Sequence, residues 1–253
     1  MTMKPIYVPK GKALEYSELA CNLFNGCSYQ CTYCFVPRMP GSFRTEWKEN
    51  SKNPKLRKRI MNALKLQAEK MKGDKRRVLF SFTCDPFQPN LGHNTMDAIE
   101  ILYRNGIKST VLTKAGTTVR PHLKRLVKYN THFGTTLCFT ELEDSKQYEP
   151  RASVPILRAR MMREAHEAGL RTWLSIEPVI IPSQALDVIE RTAEYCDLVK
   201  IGRWNYDTRA NKIDWKDFVT AAVELCVGLK QNYYIKNDLY KFIKDEMKQS
   251  QEF

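Results

Sequence analysis

Nowhere does the 253-residue chain reach the roughly 18 consecutive apolar residues that a membrane-spanning helix needs. The longest candidate, Leu174 to Leu186, is interrupted by Glu177, Pro178 and Pro182. The first twelve residues, Met1 to Lys12, lack the apolar centre of a secretory signal. Internal repeats and low-complexity linkers are missing too. Acidic residues are scarce, 28 Asp and Glu against 41 Lys and Arg, for a net charge of +13. Histidine is scarcer still, and positions 93, 122, 132 and 166 show no metal-ligand spacing. These absences argue against a membrane-spanning helix, leave the histidines without an assigned role, and lead us to expect one cytoplasmic domain with no membrane partner.

What is present is enough apolar residue, 43%, to build a core. Runs rich in β-branched and aromatic residues predict strands at Glu18–Asn25, Val78–Thr83, Lys108–Thr113, His132–Phe139, Arg171–Ile176 and Leu198–Ile201, with a seventh at Asn232–Ile235. Between them the pattern changes to helical spacing, as in Met61, Leu64, Ala68 and Met71, or Leu157, Met161, Ala165 and Ala168. Asn105-Gly106 and Ala168-Gly169 read as helix stops, and Pro121 suits the first turn of a helix to about Tyr129. Strict β–α alternation implies parallel strands with right-handed crossovers, hence a full or partial (β/α) barrel, or else a doubly wound open sheet. In either, ligands gather at the carboxyl ends of the strands.

Eight cysteines in such a chain need a reason other than disulfides. Cys21, Cys138, Cys196 and Cys226 stand alone and read as small buried hydrophobes. Cys27, Cys31 and Cys34 form a C-x3-C-x2-C run just after the first strand. Three thiolates on one loop suit an iron–sulfur centre or zinc. Structural zinc is closed by four ligands, and no second C-x2-C or H-x3-H pair follows. Three ligands leave one coordination position open, although a remote His or Cys would close a zinc site. A zinc-stabilised nucleic-acid-binding protein without catalysis is therefore the alternative reading.

This spacing at the end of a first strand in a βα chain resembles the radical S-adenosylmethionine (radical SAM) superfamily. Further segments resemble its spore photoproduct lyase-like (DNA repair photolyase-like) branch: Ser81–Pro89, Val111–Lys114, Glu149-Pro-Arg-Ala152 before a helix, and Asp197–Gly202. The resemblance implies a partial (β/α)6-type TIM barrel in one domain over 1–253, its core about 16–205 and a C-terminal extension about 206–253. It implies a [4Fe–4S] cluster on the three cysteines, its open iron binding S-adenosylmethionine. Reductive cleavage would give a 5′-deoxyadenosyl radical that abstracts hydrogen from a substrate. A low-potential donor of the flavodoxin or ferredoxin type is the implied partner. With no second cysteine cluster, auxiliary iron–sulfur centres and methylthiolation are not expected.

By the same resemblance Tyr33 would contact the adenine, Lys114 the methionyl carboxylate, Thr83 and Asp85 the methionyl ammonium, and Thr136 or Thr140 the ribose hydroxyls. Glu149 and Arg151 would pair with each other or a strand end to shape the mouth. Glu177 ends the fifth strand, where a carboxylate could face substrate or cofactor; Lys200 and Arg203-Trp204-Asn205 flank the end of the sixth, where Arg203, Trp204 and Asn205 offer a substrate surface or a barrel lid. The lyase's hydrogen-donating cysteine aligns with Phe82; Cys84, two residues on and on the same face of an extended segment, is the candidate donor. Phe35 replaces the second of the lyase's flanking tyrosines, so its tyrosine relay does not carry over and thymine-dimer reversal is not the expected reaction.

From Arg44 to Arg77 there are 13 Lys and Arg against 4 Asp and Glu, with Phe43 and Trp47 nearby. Such a segment, following the cysteine loop, suits phosphates and stacked bases. A solvated helix face, an anionic small substrate or an acidic electron donor explains the same charge.

Overall fold

The computed structural model describes residues 4–39 and 42–243, without the side chains of residues 42–44 and 46. The expected contributions of Phe43 and Arg44, and the last ten residues of the extension, lie outside the described residues. Strands are β1 (Ile6–Tyr7), β2 (Leu19–Cys21), β3 (Phe24–Asn25), β4 (Lys55–Leu56), β5 (Arg77–Phe80), β6 (Lys108–Thr113), β7 (His132–Thr136), β8 (Thr172–Val179), β9 (Leu198–Arg203) and β10 (Tyr233–Ile235). Helices are α1 (Ser42–Asn50), α2 (Ile60–Lys70), α3 (Gly92–Arg104), α4 (Leu123–Lys128), α5 (Leu142–Tyr148), α6 (Pro155–Glu167), α7 (Pro182–Thr192), α8 (Trp215–Gly228) and α9 (Asn237–Tyr240).

Eight strands form one sheet in the order β1-β2-β5-β6-β7-β8-β9-β10. Neighbours from β2 to β10 are parallel, and β1 runs antiparallel at one edge. Consecutive order with helical crossovers curls the sheet towards a barrel. Ala20 on β2, Leu79 on β5 and Trp173 on β8 meet in one interior cluster with Tyr16, Phe82, Leu112 and Leu198. Trp173 Nε1 donates to Thr110 Oγ1 on β6 at 3.1 Å, so the indole sits within the barrel with its polar end satisfied. The larger cluster packs the outer face of the sheet against the helices, with Ile60, Leu64 and Ala68 of α2 among its members.

The two sheet edges, β1–β2 and β10, are bridged by side chains. Glu15 Oε1 accepts from Tyr234 Oη (3.1 Å) and the Asn237 N–H (2.7 Å). Lys200 Nζ donates to the carbonyls of Glu15 and Tyr16 at 3.0 and 3.2 Å. The described part of the expected C-terminal extension thus adds a strand and helices to the barrel wall.

Three expected strands are shorter than their patterns, the one expected over His132–Phe139 ending at Thr136. The first breaks at Asn22, whose Oδ1 accepts from the Phe82 and Thr83 N–H groups and whose carbonyl accepts from Arg57. Phe24–Asn25 then pairs with Lys55–Leu56 in a separate ribbon. The second ends at Phe80, because Ser81 Oγ bonds the Cys84 carbonyl at 2.6 Å and turns the chain. At β8 the reverse holds: the strand runs to Val179, past a register shift between Ile176 and Val179.

His132 at the start of β7 supplies a pH test. Burial, with Arg77 and Arg171 nearby, pulls its pKa from 6.5 down to about 4. The unfolded chain takes up this proton near 6.5 and the native chain only near 4. Its contribution to stability is whole above pH 6.5 and is lost as pH falls through that window. We expect the melting temperature of His132→Asn to fall less than that of the wild type between pH 6.5 and 4; parallel declines would refute this.

Candidate active site

The cysteine loop leaves β3 through Gly26, whose φ of +80° is left-handed and whose missing Cβ would collide with the Asn50 carbonyl at the end of α1. Gln88, buried beneath it, accepts from the Ser28 N–H at 2.9 Å and donates to the Gly26 carbonyl at 3.4 Å. The far side of the loop hangs on α5, where the Thr32 N–H donates to the Tyr148 carbonyl at 2.9 Å. Next to that bond the Tyr33 hydroxyl donates to Glu149 Oε1.

Glu149 is in turn paired with Arg158 of α6 at 2.5 Å, both side chains without solvent exposure. Arg158 also donates to the carbonyls of Ser153 (2.5 Å) and Thr136 (3.0 Å). Burial alone would push the Glu149 carboxyl up, but Arg158 and Lys114 hold it below the ordinary value. Arg151 is exposed. The expected pairing of Glu149 with Arg151 or a strand end is thereby corrected: the carboxylate reaches the Arg158 guanidinium on α6 because a buried charge demands compensation.

Cys27, Cys31 and Cys34 are free thiols lining one cavity of about 570 Å³ at the carboxyl ends of the strands. The Tyr29 and Val36 N–H groups donate to the sulfurs of Cys27 and Cys34. Burial raises all three thiol pKa values, that of Cys31 to about 12. Thiols desolvated to this degree become thiolates when a bound cation replaces the lost water. Among the described residues no group of three His, Cys, Asp or Glu is arranged around a single ion. A donor set of three thiols on one loop, with N–H groups aimed at sulfur, fits an iron–sulfur cluster.

Of the other expected residues, Tyr33, Thr83, Cys84, Asp85, Lys114 and Thr136 line the same cavity. Lys114 Nζ stands 5.6 Å from the centre of the Tyr33 ring. Thr140 is not among the lining residues; its N–H donates to Gln184 Oε1 at 2.9 Å. Asp85 is already engaged: Oδ1 accepts from the Phe87 N–H (2.8 Å) and Thr113 Oγ1 (2.7 Å), and Oδ2 from the Lys114 N–H (2.7 Å). It clamps two strand ends together and keeps one side towards the cavity.

Cys84 needs a correction. The chain bends after Phe80, so Phe82 joins the barrel interior while Cys84 joins the outer core beside Cys21 and Phe24. They do not share a face of an extended strand, although each has an edge on the cavity. Burial raises the Cys84 thiol to about 11, against the Ser81 hydroxyl 3.1 Å away and the Phe24 backbone.

The opposite wall carries a group that sequence patterns do not bring together. Tyr16 Oη donates to Glu177 Oε2 and lies 2.9 Å from Ser175 Oγ. Lys236 Nζ, from the end of β10, donates to the same Oε2 at 2.7 Å and sits 4.5 Å from the centre of the Tyr16 ring. Of these four, Glu177 alone stands out in the sequence, for its place at a strand end. Tyr16 and Lys236 carry no local signal, whereas Arg158, a charge within the apolar stripe of α6, does.

The basic segment is divided by α2. Lys52, Lys55, Lys58 and Arg59 are exposed beside the ribbon next to the cysteine loop. Lys72, Lys75 and Arg76 lie beyond the other end of α2, about 16 Å away by helical rise. Arg57 is tied down by donating to the Asn22 carbonyl at 3.1 Å.

Residues 21–196 match the family model described as the radical SAM superfamily, well over half of the chain. The chain belongs to the radical SAM superfamily. Among solved structures, this radical SAM chain is similar to a single-substitution mutant of spore photoproduct lyase, with TM-score 0.70, 15% identity, and coverage of 90% of this chain and 78% of that one. It is also similar to a doubly substituted mutant of that lyase with bound AdoMet and dinucleoside spore photoproduct (TM-score 0.66, 14% identity, 87% and 76%). A third is Streptococcus suis SuiB bound to S-adenosylmethionine (TM-score 0.60, 16% identity, 90% and 52%). At these identities the likeness is one of fold: a partial TIM barrel. An uncharacterized protein, ORF301, of Acidianus two-tailed virus is 25% identical over 187 residues; the match covers 69% of this chain and 60% of that relative's length. A [4Fe–4S] cluster and S-adenosylmethionine are the cofactors of the superfamily, and the thiol set described above fits them.

Removing the Glu149 charge should strand Arg158 in the core. We expect Glu149→Gln to lose about 3–5 kcal/mol in urea unfolding, the usual cost of breaking a buried pair, and Arg151→Ala to change stability by less than about 0.5 kcal/mol. Equal effects from the two variants would contradict the pairing.

Proposed function

We propose that the chain is a radical SAM enzyme that abstracts hydrogen from a nucleic acid or nucleotide. The observation that carries this reading is one cavity with the three thiols on one wall and aromatic and cationic side chains on the others. When bound, the cluster and S-adenosylmethionine supply a 5′-deoxyadenosyl radical on one-electron reduction. The chain's own residues orient and shield. Cys27, Cys31 and Cys34 would hold the cluster. Tyr33, fixed by Glu149, offers a ring face to the adenine. Lys114 brings a positive charge suited to the methionyl carboxylate. Asp85 offers its remaining acceptor capacity to the ammonium, with Thr83 beside it, and Thr136 faces the ribose; Thr140 stands away from the cavity. Cys84 keeps its S–H proton at neutral pH, as a hydrogen donor must.

Phosphates would meet Lys52, Lys55, Lys58 and Arg59 beside the loop, and Trp47 and Phe35 on the cavity edge offer faces for stacking. The fold likeness to a lyase solved with a dinucleoside spore photoproduct supports this substrate class. A low-potential flavodoxin- or ferredoxin-type donor would supply the electron. All eight cysteines are free thiols, which supports a reducing compartment such as the cytoplasm. Among the described residues no helix is long and apolar enough to cross a membrane.

The deciding measurement is EPR of the anaerobically reconstituted, reduced protein with and without S-adenosylmethionine. We expect a [4Fe–4S]+ signal that changes on addition and is lost in Cys31→Ala; zinc in place of iron would overturn the enzyme reading. For the mouth, reversing Lys55, Lys58 and Arg59 to Glu should weaken oligonucleotide binding and lower its salt slope by about 1 for each phosphate no longer neutralised. Unchanged slopes would remove the nucleic acid from this face. Arg57 stays unaltered in that test because it supports Asn22.

A further inference from the structure

Glu177 is a costly residue to place where it stands. Its side chain is 17% exposed at the end of β8, and a buried ion pair is no more stabilising than well-packed apolar residues of the same volume. Four separate parts of the chain nevertheless maintain it. Tyr16 and Lys236 both bond Oε2. The register shift in β8 between Ile176 and Val179 re-aims the strand end at this point. Gly202 on β9 leaves the space, since a Cβ there would lie 2.6 Å from Glu177 Cδ.

The bonding is lopsided. Oε2 takes two strong bonds, whereas among the described residues Oε1 has only Asn205 Nδ2 at 3.4 Å. Asn205 is itself committed elsewhere, donating to the Arg203 carbonyl at 2.9 Å and accepting from Lys12 Nζ at 2.5 Å. Oε1 therefore keeps acceptor capacity on the cavity wall. Lys236 keeps donor capacity beside it, because its second carboxylate neighbour, Glu15 Oε2, is 3.9 Å away.

The charges around the pair select what can bind. Lys12, Lys200 and Lys236 near it are matched by Asp238, Glu15 and Glu177, so neither a free cation nor an anion is favoured there. A neutral edge with a donor beside an acceptor, as in an amide or a nucleobase, satisfies both Oε1 and Nζ. The cavity as a whole is lined by five cationic residues, Lys10, Lys12, Lys114, Arg203 and Lys236, and two acidic ones, Asp85 and Glu177. Lys10 is exposed, which gives an anionic part of the same ligand its counter-charge at the rim, beside Lys12, which is itself paired with Asp238 at 2.7 Å.

We propose that Glu177 anchors the substrate by its neutral hydrogen-bonding edge, with Oε1 accepting from an N–H and Lys236 donating to the adjacent acceptor, while the anionic part stays at the rim. Resting on the nucleic-acid reading above, this assigns the base to the Glu177 wall and the phosphates to the lysines.

The test compares a single-stranded deoxyuridine dodecamer with its abasic counterpart, which has the same phosphates and no bases. Affinities are measured on the anaerobically reconstituted full chain. The wild type should bind the dodecamer at least tenfold more tightly than the abasic strand. Glu177→Gln should lose fivefold or more of that margin, leaving abasic binding and the EPR response to S-adenosylmethionine unchanged. Glu177→Asp, which keeps the charge but draws it back by one methylene, should fall between; the melting temperature of each variant reports whether the barrel is intact. A margin equal in wild type and Glu177→Gln overturns the anchor and leaves the nucleic-acid reading standing. Binding of neither strand by the wild type overturns both.

Discussion

A carboxylate and a guanidinium sealed from solvent, Glu149 and Arg158, are the contact on which the rest of the site depends. Neither charge is stable in the core without the other. Each also reaches beyond the pair: Glu149 takes the Tyr33 hydroxyl, and Arg158 takes the Thr136 carbonyl at the end of β7. One ion pair therefore fixes the distance between the cysteine loop and the barrel strands. Asp85 does the same on a smaller scale between the ends of β5 and β6. The clamps are charged and buried, which makes their geometry specific because misplacement leaves an uncompensated charge.

The cavity between these clamps has two unlike walls. On one, the burial of three thiols is offset once a cation binds, with backbone N–H groups directed at sulfur. On the other, Tyr16, Ser175, Glu177 and Lys236 form a hydrogen-bonded group drawn from the first and last parts of the barrel. The side chains that bridge the sheet edges, Glu15 and Lys200, therefore also frame this second wall. Closing the barrel and completing the cavity are one structural event, because β10 brings Lys236 with it.

Much of the fold was legible in the chain itself. β6 occupies the span its apolar and β-branched run predicts, and α3 and α6 stop at Arg104 and Glu167, just before the expected breakers. Patterning failed where a side chain outcompeted the ladder. Asn22 sits inside an otherwise strand-like run, but its amide holds Phe82 and Thr83, so the strand ends there. Ser81 ends β5 by the same kind of local bond, and that turn carries Cys84 away from the face expected of it.

The sequence by itself determined the alternation of strands and helices, the three thiols and their spacing, and the excess of positive charge. These are local properties, written in neighbouring residues. Only the tertiary structure decided that Glu149 meets Arg158 and not Arg151, that α2 separates the basic segment into two ends, and that Tyr16, Glu177 and Lys236 share a wall. Those partners are separated by up to 220 positions, from Tyr16 to Lys236. Which of the available charges a buried carboxylate finds depends on how the strands are stacked, and no spacing rule within one segment carries that information.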